Sequence, residues 1–222
     1  MGALVTLGVD IGQRRDPTAI VVVEHEWREG AGGQQDLRAH HIARHLESLP
    51  LGTPYPDVAQ RVAEVVRGVE AAEPGASPNL YVDATGVGTP VVDTLRAAGV
   101  DAKLIPVYFT RGDRRTLVEG EVRLGKAWLV SKLQTLLQSR LLHLPRTSEA
   151  EILAQELLDY EIRVTEDANE RYGAFRVGAH DDLVTALGLA TQEDRGGGEA
   201  STSYVDPYGF GDLPQGGSWP SW

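Results

Sequence analysis

The sequence predicts an α/β fold: a mixed central sheet, with an antiparallel meander plus parallel strands, flanked by helices. Three observations predict it. Runs rich in β-branched residues at 4–9 and 18–25, then a third strand candidate at 37–47, follow one another with turn signals between them. A short apolar strand at 80–83, a glycine-rich turn, a helical stretch and a second strand at 102–107 make a strand–helix–strand unit, the unit of parallel pairing. Acidic residues recur where an apolar run ends or a helix opens: Asp10, Asp83 and the pair Asp181-Asp182.

Taken in order, Asp16-Pro17 marks the turn between the first two strands, and the polar stretch 29–35 leads into the third. Residues 57–73 are helical, because Val58, Val62, Val65, Val66 and Val69 recur at helical spacing before Pro74-Gly75 stops them. After the strand at 80–83, Gly86-Val87-Gly88-Thr89-Pro90 opens a helix to about residue 98, stopped by Gly99. Residues 108–118 read as a polar, Arg-rich stretch, and 121–130 as a short hairpin around Gly125. A helix over 131–139 has Ser131 as N-cap and Leu133, Leu136 and Leu137 on one face. Residues 141–144 are extended. Thr147 or Ser148 caps a helix to about residue 160, with Glu151 in a capping box. Residues 161–165 and 174–177 pair as a hairpin, and a last helix spans 180–192. The segment 195–222 is rich in Gly, Pro and Ser with scattered aromatics and no periodicity, so it reads as a flexible tail on a domain of residues 1–194.

Composition narrows the class. A chain of 222 residues with 41% hydrophobic content supports one sizeable core. There is no apolar run of about 18 residues, which argues against a membrane span or membrane partner. The start, Met1-Gly2-Ala3-Leu4-Val5, lacks the basic segment and cleavage site of a signal peptide. The chain has no cysteine, so disulfides and thiolate metal sites are excluded and a cytoplasmic setting is expected.

The formal net charge of −11 argues against a generic nucleic-acid binder. The charge is uneven, however. Between Lys103 and Arg146 the basic residues Lys103, Arg111, Arg114, Arg115, Arg123, Lys126, Lys132, Arg140 and Arg146 face only Asp113, Glu119 and Glu121. Such a stripe suits phosphate-backbone contact, and equally suits a solvated surface.

Carboxylates that meet at one edge cannot all stay ionised without cations, and hard divalent ions such as Mg²⁺ or Mn²⁺ are the usual partners. Asp83 ends a buried strand and precedes a Gly turn into a helix, the position where ligands bind in open α/β sheets. Asp10 ends the first strand, where it either serves a site or caps a turn. Asp181-Asp182 opens an apolar helix. One Asp satisfies a cap, so the second suggests a metal. Residue 182 is in line with Ala186 and Leu189-Ala190, which favours Asp182 as the main ligand and Asp181 as accessory, with the reverse left open. His180 is a candidate to position the attacking water or touch the scissile phosphate, against a surface or capping role. Asp16 supports the Pro17 turn.

Other motifs are incomplete. Gly86-Val87-Gly88 lacks the third glycine of a dinucleotide fingerprint, because Val91 stands there, and no P-loop exists. His40-His41 and His45 lie on a strand without a matching ligand set.

The order strand-Asp, meander, helix, strand-Asp, helix, strand, late helix-Asp resembles the RNase H-like fold. Within it, the chain resembles the nuclease domain of phage terminase large subunits. The stretches that carry this are Gly8-Val9-Asp10-Ile11-Gly12, Asp16 to Val22, Val82 to Gly88, Val130-Ser131-Lys132 with the following leucines to Leu144, and His180 to Ala190. They span about residues 4 to 192.

The resemblance implies an endonuclease that cuts concatemeric viral double-stranded DNA with little sequence specificity. Asp10, Asp83, Asp182 and Asp181 would be metal ligands, and two Mg²⁺ or Mn²⁺ ions would serve as cofactors. Lys132, with Arg111, Arg114, Arg115, Arg123 and Lys126, would contact DNA. Implied partners are a packaging ATPase domain or subunit, a small terminase and a portal or procapsid, in the host cytoplasm. The family's N-terminal ATPase domain has no counterpart in this sequence. Three rivals stand beside this reading: another RNase H-like nuclease such as a Holliday-junction resolvase or transposase core, an actin-like kinase, and a non-catalytic capsid or portal docking module.

Overall fold

The computed structural model describes residues 4–12, 16–30, 33–86, 88–164, 170–174 and 181–192. The predicted tail at 195–222, and with it the domain boundary at 194, lies outside them. The meander is present. Strand β1 (Leu4–Asp10) pairs antiparallel with β2 (Ala19–Gly30), and β2 pairs antiparallel with β3 (Gly33–Ser48). The first turn folds over Gly12, whose N–H donates to Thr18 Oγ1 at 3.0 Å. A Cβ there would stand 2.1 Å from the carbonyl oxygen of Asp16, so only glycine admits the turn.

Helix α1 (Tyr55–Ala72) buries Val58, Val62, Val65 and Val66, the stripe visible in the sequence. Strand β4 (Asn79–Asp83) then lies parallel to β1. Helix α2 (Thr89–Ala97) ends at Gly99, whose φ of 66° permits the stop, and β5 (Lys103–Thr110) runs parallel to β4.

The next segment departs from expectation. Strand β5 runs on to Thr110, and the hairpin forms earlier than predicted, between β6 (Arg115–Val118) and β7 (Glu121–Gly125). Its two-residue turn, Glu119-Gly120, has φ of 51° and 83°, the doubly positive geometry that matches strand twist. Gly125 is not the turn. It ends β7, and helix α3 (Lys126–Gln138) starts directly after it, which leaves Ser131 inside the helix rather than at its cap. The run Ala127-Trp128-Leu129-Val130 is apolar without a break, so it fits either period. Its burial with Leu133 and Leu136 on one helix decides the matter.

Strand β8 (Leu142–His143) adds to the far edge beside β3. Helix α4 (Ser148–Asp159) is capped by Thr147, whose hydroxyl accepts the Ala150 N–H at 3.3 Å. The expected box through Glu151 needs Ser148 as the cap; with Thr147 there, Ala150 takes the third helical position. Strands β9 (Tyr160–Val164) and β10 (Glu170–Ala174) form a separate hairpin whose second strand begins earlier than predicted; residues 175–177 lie outside the described ones. Helix α5 (Asp182–Ala190) closes the described chain.

The eight-stranded sheet runs β6-β7-β5-β4-β1-β2-β3-β8. Alternation along β1 sends Val5, Leu7 and Val9 into a core with α1 and α2. Thr6, Gly8 and Asp10 therefore face the opposite layer, where α3, α4 and α5 pack. Every residue of α5 is buried, as expected of a helix apolar all round. Among the described residues no helix is long and apolar enough to cross a membrane.

Helix α5 lies directly on β1. A Cβ on Gly8 would stand 2.0 Å from the carbonyl oxygen of Ala186 and 2.5 Å from the backbone nitrogen of Ala190. Further back on the strand, Thr6 Oγ1 donates to the carbonyl of Gln192 at 3.3 Å. The helix thus runs antiparallel to the strand. Gly8→Ala forces the two backbones apart and is expected to cost about 1–3 kcal/mol or more. In a domain of this size that lowers Tm by roughly 2–12 °C in a thermal melt. An unchanged Tm would show that the contact is looser than described.

Candidate metal centre

The parallel register of β1 and β4 sets Gly8 beside Tyr81 and Val9 beside Val82. One step further it sets Asp10 beside Asp83, on strands about 4.8 Å apart. Both side chains leave the sheet on the face that carries α5. Tyr81, two residues before Asp83, packs in that layer's core.

Helix α5 brings the third carboxylate. Ala186 lies over Gly8. Four residues back along the helix is about 6 Å, and two residues forward along the strand is about 6.6 Å. Asp182 and Asp10 therefore arrive at the same level. Asp182 is buried at 6% exposure, whereas Asp181, the residue before the helix, is half-buried.

The electrostatics report the same grouping. Burial and then the charges of Asp83 and Asp182 push the Asp10 carboxyl well above its ordinary range, with Asp181 adding to them and Lys126 opposing. Burial raises Asp83 as well. The hydroxyl and N–H of Thr85 and the charge of Lys126 work against that rise. Burial, then Glu156, Asp16 and Asp181, push Asp182 up to about 7.

Local structure holds each ligand candidate. Asp83 Oδ1 accepts the Thr85 N–H at 2.8 Å, and Thr85 Oγ1 accepts the Phe109 N–H at 2.7 Å. The turn after β4 is thereby pinned to β5. At α5 the expected competition between capping and metal binding is resolved by a residue that sequence reasoning missed. Glu156 of α4 is 8% exposed, and its Oε2 accepts the N–H groups of Leu183 and Val184 at 2.9 and 3.1 Å. Asp181 makes no side-chain cap hydrogen bond. Burial raises Glu156 to about 7, although those two N–H groups favour its charged form. A signal for it existed: a glutamate in the apolar stripe Ala150-Leu153-Leu157.

The basic residues separate into two sets. Arg111 and Arg114 are exposed in the loop after β5, at the carboxyl edge where Asp10 and Asp83 also stand. The loop crosses Gly125 closely: its N–H donates to the Arg114 carbonyl at 2.7 Å, and a Cβ would stand 2.1 Å from Gly112 O. Arg123 is exposed on β7. Lys126, half-buried, has its ammonium 5.3 Å from the Phe109 ring centroid. Arg115 is partly engaged, donating from Nε to Gln192 Oε1 at 3.0 Å. Lys132 differs from expectation. It is buried, and its ammonium donates to Thr191 O at 2.7 Å, where a cation satisfies the carbonyl end of α5. An inward-facing lysine committed to that carbonyl is not placed to meet DNA. His180 lies outside the described residues.

Elsewhere His40 Nδ1 and His143 Nε2 are 2.8 Å apart, and His45 Nε2 meets Glu47 Oε2 at 3.0 Å. Among the described residues no three His, Cys, Asp or Glu side chains are close enough to clamp one ion as they stand. Asp10, Asp83, Asp181 and Asp182 are thus grouped within Coulombic range rather than closed into a coordination shell. Their donors are all carboxylate oxygens, which fits a hard divalent cation.

No protein-family model matches the sequence, and no curated protein matches it. The fold, by contrast, has clear counterparts among solved structures. The large terminase nuclease of thermophilic phage G20c with bound magnesium is 21% identical, with a TM-score of 0.58, covering 85% of this chain and 80% of that one. The manganese-soaked terminase nuclease domain of human cytomegalovirus is 16% identical, with a TM-score of 0.54, covering 86% and 83%. A mutant nuclease domain of the large terminase subunit of bacterial virus Sf6, with manganese and beta-thujaplicinol, is 12% identical, with a TM-score of 0.57, covering 87% and 89%. The chain has the RNase H-like fold of large terminase nuclease domains.

Proposed function

We propose that this chain is a divalent-metal-dependent endonuclease that cuts double-stranded DNA with little sequence specificity, as in the processing of concatemeric viral genomes during packaging. One observation carries the reading most. Asp10 and Asp83 stand side by side at the carboxyl ends of parallel strands, and α5 delivers Asp182 to them with its own N-terminus already capped by Glu156. The magnesium and manganese in structures of the same fold support it.

Asp10, Asp83 and Asp182, with Asp181 beside them, would hold the metal, and four carboxylates carry enough charge to balance two Mg²⁺ or Mn²⁺ ions. When bound, such ions polarise a phosphodiester and lower the pKa of a coordinated water. The protein's own part is positional. Thr85 orients Asp83, and Lys126 offers an ammonium beside Asp10 and Asp83 for a phosphate oxygen. Arg111, Arg114 and Arg123 give the edge a backbone-binding rim, which positions DNA without reading bases. A packaging ATPase domain or subunit, a small terminase and a portal or procapsid would be its partners.

Supercoiled plasmid nicked and linearised with Mg²⁺ or Mn²⁺, and spared with EDTA, is the direct test. Asp10→Asn, Asp83→Asn and Asp182→Asn are each expected to slow cutting about 100-fold or more, since each removes charge from the centre. Variants that cut like wild type would sink the assignment.

The basic residues predict a split. Arg111→Ala and Arg114→Ala should weaken duplex binding and each lower the slope of log affinity against log salt by about 1. Lys132→Met leaves Thr191 O buried without its donor, so it should cost about 1–3 kcal/mol of stability while leaving that slope unchanged. A changed slope for Lys132→Met would return it to the DNA interface.

The raised carboxyls set the pH dependence. Asp182 and Glu156 titrate near 7 when folded and near their ordinary values, about 4, when unfolded. Between about pH 4 and 7 the folded chain holds protons that the unfolded chain has shed, so stability falls as pH rises, and the full penalty applies above 7. In EDTA, Tm should fall from about pH 5 to about pH 7.5. Millimolar Mn²⁺ should raise Tm more at the higher pH, because the ion binds the ionised carboxylates. Equal rises at both pH values would contradict this.

A further inference from the structure

Helix α5 begins inside the protein, where its first N–H groups have no water to turn to. A helix that opens on Asp-Asp would ordinarily satisfy them with one of those carboxylates. Here the N–H groups of the second and third helical residues, Leu183 and Val184, both go to Oε2 of Glu156, at 2.9 and 3.1 Å. Glu156 comes from the middle of α4, on the stripe that also buries Ala150, Leu153 and Leu157, so its backbone is fixed by packing. It is 8% exposed.

We infer that Glu156 is a positioning residue of the metal centre: by capping α5 from a neighbouring helix it leaves Asp181 outside the capping bonds and fixes the approach of the first turn of α5, and with it Asp182, to Asp10 and Asp83. The inference rests on the proposed metal-dependent reading and names a group that touches neither ion nor DNA. Glu156 acts through geometry. Its two hydrogen bonds set the height and rotation of the first turn of α5, and hence the level at which Asp182 meets β1. Without it the orphaned N–H groups would recruit Asp181, the residue before the helix, as a local cap, which turns that carboxylate away from the site and shifts the first turn that carries Asp182.

The test is Mn²⁺ titration of the full chain by calorimetry, with a thermal melt of each variant. Glu156→Ala should weaken Mn²⁺ binding about tenfold or more, the range seen when an outer-shell partner is lost. Glu156→Gln keeps an acceptor oxygen for the same two N–H groups and should bind Mn²⁺ within about threefold of wild type. If the alanine variant does not fold, Glu156→Asp, one methylene too short to reach, takes its place with the same expectation. Wild-type Mn²⁺ affinity in Glu156→Ala, or a loss in Glu156→Gln as large as in Glu156→Ala, would overturn the inference. Asp83→Asn and Asp182→Asn serve as controls. If they too bind Mn²⁺ like wild type, the metal reading itself fails. If they lose binding while Glu156→Ala keeps it, only the role of Glu156 fails.

Discussion

The backbone contact between α5 and β1 at Gly8 governs the rest of this structure. A helix packed on a sheet through side chains is held off by them; one that touches the strand's backbone has no such clearance. The close approach brings a carboxylate on the helix level with one on the strand. It also removes α5 from water along its whole length, so both helix ends must be satisfied from within. Two buried side chains do this: Glu156 at the N–H end and Lys132 at the carbonyl end. Gly188 repeats the logic on the outer side, where a Cβ would stand 2.3 Å from the Leu129 side chain. The placement of α3 and α4 is thus tied to the same helix that serves the candidate centre.

Bringing carboxylates together this way works against stability. Burial and then neighbouring carboxylates hold Asp10, Asp83 and Asp182 above their ordinary range, so each is harder to ionise than a free carboxyl and a cation would lower that cost. Two features of the chain soften the repulsion. The N-terminus of α5 points its partial positive charge at the cluster. Lys126 stands near Asp10 and Asp83 because β7 ends at the same edge as β1 and β4. Parallel strands make this convergence automatic, since their carboxyl ends share an edge. The antiparallel meander instead supplies the far half of the sheet and much of both cores.

Elements with one strong local signal were legible in the sequence. The valine stripe of α1, Gly99 after α2, and Asp83 at the end of a short buried strand each announced their place. The stretch from 108 to 131 was not legible, for physical reasons. Glu119 adopts a left-handed conformation that its residue type does not advertise, so the true turn was hidden. Gly125 looked like a turn but is required by the backbone crossing over it at Gly112. The apolar run 127–130 satisfies both periods, and only tertiary burial chooses the helix. At the site, Asp10 and Asp83 could be read from strand ends, and the burial of Glu156 from its place in the apolar stripe of α4, but what Glu156 and Lys132 bind could not. Their roles depend on which helix lies beside which, and local pattern carries no such information. Lys132 in particular reads as surface charge until α5 is set against α3.

The same separation by position explains how a chain of net charge −11 presents a basic edge. At physiological ionic strength charges act over about 8 Å, so a DNA backbone responds to the rim it touches and not to the sum over the protein. Arg111, Arg114 and Arg123 are exposed at or next to the carboxyl edge of the sheet, whereas Asp10 and Asp83 are half-buried and Asp182 is buried. On the proposed function, a phosphate approaching that edge would meet positive charge first and the acidic cluster second. Cations bound at the cluster would reverse the sign of the inner layer, so that rim and centre attract the same phosphate. On the proposed function, filling the metal centre and holding DNA would be one electrostatic event, because bound ions would remove the repulsion that otherwise keeps a phosphate from the carboxylates.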